Sequence, residues 1–491
     1  MRSNRRGNRR PIPLFLGIML AGGLISGTGV RAQDAAPSQG GTNASARLLE
    51  QPAADYKARR ALLMERIKAA EGTAGGTPVV VLAGESEEGD DGRYRQVNPF
   101  AYLTGVETPK GTLILKPGEM KETLYLPVRN PSMEAWTGPK LGPGSEGIAA
   151  TGFDRVEPSA SFEADLKAAV ADTGKGPGVV YLLTPNPGVN ASGPAPALAR
   201  KVKDLVPDAK TKNVAPILGE LRKIKSEAEI ALLRKAIALT GDAQAEVIRL
   251  VAPGVPEYRL EGAILGAFIG GGGMRAGFPS IVGSGLNSTV LHYNANRRTM
   301  AEGDLVVVDI GAEYSYYTAD ITRTYPVSGK FTPRQREIYQ LVLDCQSAAA
   351  AEFKIGVTTL RSQNAAAKAF LKASPLRAKD EKGVEHTMDH FFVHGLGHYL
   401  GMDVHDVGNG GMPMGPGEVF TIEPGIYIAS EGFGVRIEDD YLVTKTGLEK
   451  LSGAIPCEVA DLERLIAEAR SQATPRARAA SSVRPVPVGA R

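Results

Sequence analysis

Cysteine is nearly missing from this 491-residue chain: only Cys345 and Cys457 occur, far apart. That leaves no disulfide framework and no cysteine-based metal site. Histidine is scarce as well. There are six, and none precedes His292. Whatever chemistry uses imidazole is therefore confined to the stretch His292–His405. Acidic residues are absent before Asp34, whereas residues 1–32 hold six arginines. Long apolar runs are lacking outside one N-terminal stretch, so nothing argues for repeated membrane spans, and the ordinary charged and hydrophobic fractions argue against general disorder.

The N-terminus reads as an export signal. Arg2, Arg5, Arg6, Arg9 and Arg10 form a positive region, Leu14 to Ile25 an apolar one, and Val30-Arg31-Ala32 presents small residues where a signal peptidase reads. Cleavage is expected before Gln33, giving a periplasmic or secreted protein with no stable membrane association. The apolar stretch is short and glycine-interrupted for a spanning helix. The paired arginines leave a twin-arginine route open, though Pro11 and Pro13 fit that motif poorly. The whole chain carries +3, the chain from Gln33 onward −3. The basic isoelectric point thus comes from the leader and from a tail with four arginines and no acid, and it says nothing about nucleic acid.

At this length two sizeable domains are the default expectation. Residues 33–46 read as a flexible lead-in and 47–216 as an α/β-patterned domain. That domain has a helix around Tyr56–Ala70 and strands at Val79–Leu82, Thr112–Leu115 and Val179–Leu183. A second domain spans 217–470, and 471–491, rich in Pro, Ala, Arg and Ser, read as a disordered tail. Ser226 and Glu229 make a capping box at the head of a helix with Ile230, Leu233 and Ile237 on one face, and Pro253-Gly254 stops it. Another helix begins at Pro256, and another at Thr332-Pro333 with Gln335 closing its capping box and Gly356 ending it. The last runs from about Glu458 to Ala469.

Two segments of the second domain echo each other. Gly303-Asp304-Leu305-Val306-Val307-Val308-Asp309-Ile310-Gly311 reads as turn, apolar run, carboxylate, any residue, glycine. Gly417-Glu418-Val419-Phe420-Thr421-Ile422-Glu423-Pro424-Gly425 repeats that order without a gap. Each apolar run reads as a buried strand ending in an acid. Each is followed by a strand-like segment with its own acid, Asp320 in Ala319-Asp320-Ile321-Thr322 and Glu438 in Val435-Arg436-Ile437-Glu438. The expected picture is two β-hairpins, each contributing two carboxylates. Ionised carboxylates at the ends of buried strands are costly unless paired. Four that converge call for divalent cations as counter-charge. Any one of these acids alone reads equally well as a capped turn or a buried salt bridge; the duplicated layout tips the balance.

His394-Gly395-Leu396-Gly397-His398 spaces two histidines as in a helical zinc motif, but Gly395 stands where that motif needs glutamate. Two glycines also disfavour a helix interior, so a loop or strand edge bringing one imidazole to a metal is expected. His405 and His292 complete the set, and His386 and His390 read as ordinary satisfied polar residues.

With these motifs in place, the second domain resembles the pita-bread-fold metallopeptidases, a family that includes methionine aminopeptidase, prolidase, creatinase and aminopeptidase P. The resemblance covers about Ile217 to Cys457. It implies five metal ligands, Asp309, Asp320, His398, Glu423 and Glu438. Ser280 to Tyr293, Tyr316 to Thr324 and His394 to Val407 look like the proline-specific branch, in which His292, His394 and His405 line the substrate site and Arg436 orients groups beside the metal. The first domain is similar to the N-terminal domain of aminopeptidase P at Phe100-Ala101-Tyr102-Leu103-Thr104-Gly105 and Glu134-Ala135-Trp136-Thr137-Gly138. The implied fold class is α+β, a C-terminal pita-bread domain behind an α/β N-terminal domain.

The implied reaction is hydrolysis of an Xaa-Pro bond at a peptide N-terminus by hydroxide made on two divalent ions, Mn foremost with Co, Zn or Fe as alternatives. Glu423 takes the proton, while His394 and His405 stabilise the oxyanion. Peptides with proline in second position are the expected partners, and a homo-oligomer the expected assembly. A prolidase would share nearly every motif but accept only dipeptides. A creatinase-like hydrolase dispenses with metal, which the intact ligands disfavour, and a binding protein with a retired site would have lost ligands.

Overall fold

The computed structural model describes residues 49–72, 78–85, 94–171, 178–184 and 194–472. The leader and lead-in expected at 1–32 and 33–46 lie outside the described residues, as does the chain from residue 473.

The N-terminal part begins with helix α1 (Ala53–Glu71) and strand β1 (Pro78–Ala83), then α2 (Asn98–Thr104), β2 (Thr112–Lys116) and β3 (Lys121–Leu126). It continues through α3 (Pro131–Thr137), α4 (Ser145–Thr151), β4 (Arg155–Pro158), α5 (Phe162–Ala171), β5 (Val179–Leu182), α6 (Pro194–Leu205) and β6 (Lys210–Asn213). The strands form one sheet in the order β4-β3-β2-β1-β5-β6. β1 is buried along almost its whole length, as a central strand covered by helices must be. On one face Arg60 is fully buried and donates from Nε and Nη2 to Glu122 at 2.7 and 2.9 Å, a paired charge that burial tolerates.

Two helices lead into the second part, α7 (Ala215–Lys223) and α8 (Glu227–Leu250), followed by α9 (Glu257–Gly270). The Ser226–Glu229 capping box heads α8 as the sequence reading expects. Next come β7 (Arg275–Ala276), β8 (Ile281–Ser284), β9 (Leu305–Ile310), β10 (Ala312–Tyr314), β11 (Tyr317–Thr318) and β12 (Ile321–Pro326). Helix α10 (Pro333–Ala351) starts at the Thr332–Gln335 capping box but stops five residues short of Gly356. Gly356, at φ 70°, instead closes the next turn by donating to Met414 O. The remainder is α11 (Leu360–Ala373), β13 (Arg377–Lys379), β14 (Glu385–Thr387), β15 (Val419–Ile422), β16 (Gly425–Ile428), β17 (Phe433–Arg436), β18 (Asp439–Val443), β19 (Leu448–Lys450) and α12 (Val459–Gln472). α12 takes in Ser471 and Gln472, which the sequence reading gave to the tail.

The duplication seen in the sequence reappears as two kinked hairpins. In the first, outer strands β9 and β12 pair antiparallel with Asp309 opposite Thr322, and β10 and β11 form an inner hairpin beyond the kink. In the second, β15 pairs with β18 and β16 with β17. Asp309 lies near the end of β9 and Glu423 just past β15, where each chain leaves its outer strand; Asp320 and Glu438 lie where each returns. The hairpins touch at their kinks, where Glu438 N donates to Thr322 O at 3.1 Å.

One apolar core fills the space between these strands and helices α8 to α10 and α12. A second core runs through both parts of the molecule, joining Tyr56, Leu63 and Leu103 to Leu218, Leu233, Tyr316, Tyr317, Leu400 and Val419. At about 1.5–3 kcal/mol per buried large apolar side chain, that shared core favours the two parts as one packed body. Cys345 and Cys457 are both free thiols.

Candidate metal centre and active site

The acidic side chains sit at strand ends: Asp309 is the penultimate residue of β9, Glu423 follows β15, Asp320 precedes β12 and Glu438 lies between β17 and β18. β9 and β15 are buried throughout, and the kink that ends each one turns a carboxylate into the same cleft. Tight backbone contact makes the kink possible. A side chain at Gly311 would meet Ala319 O at 1.8 Å. His398 arrives on a strand-like segment beside β15, where Thr421 N donates to His398 O at 2.9 Å and Glu423 N to Leu396 O at 2.8 Å. Gly397 allows this approach, since a Cβ there would lie 2.0 Å from Thr421 O. The strand-edge reading of this segment matches its placement.

His398 Nδ1 lies 3.1 Å from Tyr399 O. A carbonyl only accepts, so Nδ1 carries the proton and Nε2 presents its lone pair to Asp320 Oδ2 at 3.3 Å and Glu423 Oε1 at 3.4 Å. Asp320, His398 and Glu438 offer ligand atoms all within 4.8 Å of one another. Asp309 Oδ1 and Asp320 Oδ1 are buried and have no hydrogen-bond partner. Lone pairs that converge in this way repel unless a proton or a cation lies between them. A neutral imidazole held from behind by a carbonyl is also the usual posture of a metal-ligating histidine. The donor set therefore fits divalent cations.

Three of the acids are pushed toward their protonated forms. Burial, then Glu438 and Asp309, pushes the Asp320 carboxyl well above its ordinary range. Burial, then Glu423 and Asp309, does the same to Glu438. Burial lifts Glu423 to about 8, against the pull of the Arg436 charge. The imidazoles move the other way. Burial, with the Arg436 charge, lowers His394 to about 4, and burial, with His405, lowers His398 to about 4.

A line of polar groups flanks the acids. Arg436 Nη2 donates to Asp309 Oδ2 at 2.7 Å and Nη1 to the Tyr427 hydroxyl at 2.8 Å. His394 Nδ1 donates to Gly395 O at 2.7 Å, so its Nε2 accepts from the Tyr427 hydroxyl at 2.8 Å. Both nitrogens of His394 are thus engaged, and the N–H expected to face an oxyanion is turned to Gly395. His394 still lies close, its Nδ1 3.8 Å from Glu423 Oε2. His405 lies against His398, with ring centroids 4.1 Å apart and the ring planes tilted by 56°.

The cleft itself measures about 270 Å³. Asp309, Asp320, His398, Glu423 and Glu438 line it together with His292, His405, Phe278, Pro279 and Ile281. Tyr293, next to His292 in the chain, does not line the cleft and donates its hydroxyl to Glu257 at 2.8 Å. A larger groove of about 910 Å³ between α8 and α12 contains none of these groups.

Several positioning groups escaped the sequence reading. Tyr427 is one; its signal is the strand period, which puts it on the face of Gly425 just past Glu423. Asp440 Oδ2 accepts from Asp320 N at 3.2 Å, and fully buried Arg323 ties the Glu438 and Thr322 carbonyls to Asp439. The loop bearing His405 is pinned by Lys225 to Asp406 at 3.2 Å and by Arg222 to Asp403 and Asp406 at 2.8 and 2.6 Å. Asn98 of the N-terminal part also reaches it, donating to Asp403 Oδ1 at 2.7 Å and Met402 O at 3.0 Å. No local pattern announces these distant partners.

Comparison with known proteins agrees with this geometry. Residues 231–445 match metallopeptidase family M24, and residues 56–177 match the aminopeptidase P N-terminal domain. The chain is 33% identical to an Xaa-Pro aminopeptidase of Escherichia coli over 85% of this chain and 98% of that one. It is likewise 33% identical to Xaa-Pro aminopeptidase 3 of Homo sapiens over 84% of this chain and 86% of that one. Among solved structures, aminopeptidase PepP of Pseudomonas aeruginosa superposes with a TM-score of 0.75 at 31% identity, covering 86% of this chain and 100% of that one.

Proposed function

This chain belongs to metallopeptidase family M24 and is an Xaa-Pro aminopeptidase-type hydrolase, and we propose that it cleaves the N-terminal residue from peptides whose second residue is proline. The observation that carries this reading is the convergence of the His398 lone pair with Asp320 and Glu423 in a cleft that Phe278, Pro279 and Ile281 also line. In this proposal Asp309, Asp320, His398, Glu423 and Glu438 hold two divalent cations, manganese foremost. When bound, such ions lower the pKa of a shared water toward neutrality.

The remaining work falls to the chain's own side chains. Glu423 keeps Oε1 on the ligand side and uses Oε2 to take the water proton and later hand one to the leaving proline nitrogen. His405 supplies the N–H for the developing oxyanion. Arg436 holds Asp309 by one oxygen and leaves the other to the cation, while through Tyr427 it fixes the His394 ring. His292 and the Phe278–Pro279 segment accept the pyrrolidine ring. The basic leader supports a further proposal, that the protein works outside the cytoplasm. Val128, Met133 and Trp136, all exposed within nine residues of chain, support the further proposal of a homo-oligomer, because exposed large apolar side chains invite a partner.

Digestion of Xaa-Pro dipeptides beside longer Xaa-Pro peptides tests the reading. Release of the first residue from the longer peptides is the expected result. Cleavage of dipeptides alone would replace it with an Xaa-Pro dipeptidase.

A further inference from the structure

A second group of metal-ligating side chains lies away from the cleft, on the hairpin β13–β14 and the turn that follows it. Asp380, His386 and His390 offer ligand atoms within 4.8 Å of one another. His386 Nε2 is 3.2 Å from Asp380 Oδ2, and the His386 and His390 rings lie parallel with centroids 3.7 Å apart. We propose that these three side chains form a second, superficial binding site for a borderline divalent transition-metal ion, Zn²⁺ foremost.

The hairpin builds the site before any ion arrives. Asp380 N donates to Val384 O at 2.8 Å, and Gly383 at φ 82° supplies the left-handed residue that the tight turn requires. Asp380 Oδ1 is occupied, accepting from Lys382 N at 2.9 Å and Val384 N at 2.8 Å. Those bonds fix the carboxylate plane and leave Oδ2 facing the histidines. His386 sits in the paired part of the hairpin, opposite Ala378. His390 belongs to the short 3-10 turn Met388–Phe391, where buried Met388 and Phe391 anchor the backbone and leave His390 outward. Three side chains from two rigid elements therefore meet with little ordering entropy left to lose.

The chemistry of the donors selects the ion. Two imidazoles and one carboxylate suit Zn²⁺, Cu²⁺ or Ni²⁺ and offer little to Ca²⁺ or Mg²⁺, which want oxygen. Three protein ligands with solvent on the open side leave a fourth position for water, the usual number for zinc. Imidazoles packed face to face gain little from each other, whereas a shared cation makes use of both.

The test counts zinc. Tag-free protein with its cleft loaded with Mn²⁺ is dialysed against low-micromolar Zn²⁺ beside His386→Ala and His390→Ala variants, and bound metals are measured by mass spectrometry. The wild type should retain about one more zinc per chain than either variant. With Cu²⁺ as probe, the paramagnetic resonance spectrum should show coupling to imidazole nitrogen that the His390→Ala variant loses. An Asp320→Ala variant should keep the extra zinc, which separates this site from the proposed catalytic one. Exposed His390 makes its alanine variant safe to fold, and an unchanged melting temperature without zinc verifies that. Equal zinc counts in the wild type and the folded His390→Ala protein would overturn the proposal.

Discussion

Arg436 donates to Asp309 Oδ2 at 2.7 Å and to the Tyr427 hydroxyl at 2.8 Å, with longer bonds of 3.3 Å to Thr322 Oγ1 and Leu291 O. A lysine ends in a single nitrogen with no fork, so it cannot span this spread of partners. Arg436→Lys should therefore lower kcat/KM about 10- to 100-fold, by loosening Tyr427 and His394. Metal content should stay near that of the wild type, because Asp309 Oδ1 remains free to bind. Steady-state kinetics alongside metal analysis checks both parts. Parallel loss of metal would mean that Arg436 acts on the ligands and not along the Tyr427–His394 line.

Removal of metal gives the second prediction. Chelation should abolish hydrolysis, and Mn²⁺ or Co²⁺ should restore it. Asp320→Ala and Glu438→Ala should each lose at least one bound metal together with activity, since each takes a carboxylate from the group that meets His398. Full activity in rigorously metal-stripped protein would exclude the proposed reaction.

The same groups make the stability of the metal-free protein depend on pH, with a sign that can be worked out. Glu423 titrates at about 8 in the folded chain against about 4.3 in the unfolded one, and Asp320 and Glu438 are shifted in the same direction. Between those values the folded state binds more protons, so stability falls as pH rises. His394 and His398 titrate at about 4 against an unfolded value of about 6.5, so the folded state binds fewer protons and stability rises across that range. The two effects oppose each other below about pH 6.5, and above it only the carboxyls act. The melting temperature of chelated protein should therefore drop from pH 6.5 to 8. Mn²⁺-loaded protein should drop less, because the ions have already displaced those protons. Calorimetry across this range decides it; a chelated sample with a flat or rising melting temperature would contradict the assignment.

Why the acids were legible in the sequence, and their supports were not, follows from where the information lies. Asp309, Asp320, Glu423 and Glu438 each stand beside a short apolar run, and a duplicated pattern of runs and acids survives in one dimension. The β9–β12 and β15–β18 pairings are its direct consequence. The contact of Asn98 with Asp403 spans 305 positions and obeys no period, so only packing reveals it. Tyr293 shows a different gap: it adjoins His292 in an irregular segment, where neighbours need not face the same way, and its hydroxyl finds Glu257 instead. The starts of α8 and α10 were legible because capping boxes are local. The end of α10 was not, because Gly356 serves the turn after it.

Export is a separate matter, carried by the leader alone. Cleavage after Ala32 should give a mature chain that begins at Gln33 and is recovered outside the cytoplasm. N-terminal sequencing of protein from its native host checks this, and an intact Met1 would overturn it.

Proline specificity can be argued from the bond itself. A peptide bond before proline is a tertiary amide, and its nitrogen has no N–H to donate. A cleft walled by Phe278, Pro279, Ile281 and His292 needs no acceptor for such a hydrogen and can pack the ring instead. Alanine at that position would lose ring contacts and bury an unpaired N–H, together about 2–4 kcal/mol. That corresponds to a kcat/KM roughly 30- to 1000-fold lower for Xaa-Ala peptides than for Xaa-Pro peptides. His292→Ala should narrow the gap by removing part of the wall, whereas Glu423→Ala should stop both reactions alike, because it removes the proposed proton carrier and metal ligand and not the recognition. Comparable kcat/KM on the two substrates would make this a general aminopeptidase. A gap that His292→Ala leaves unchanged would move the selecting wall to Phe278 and Pro279.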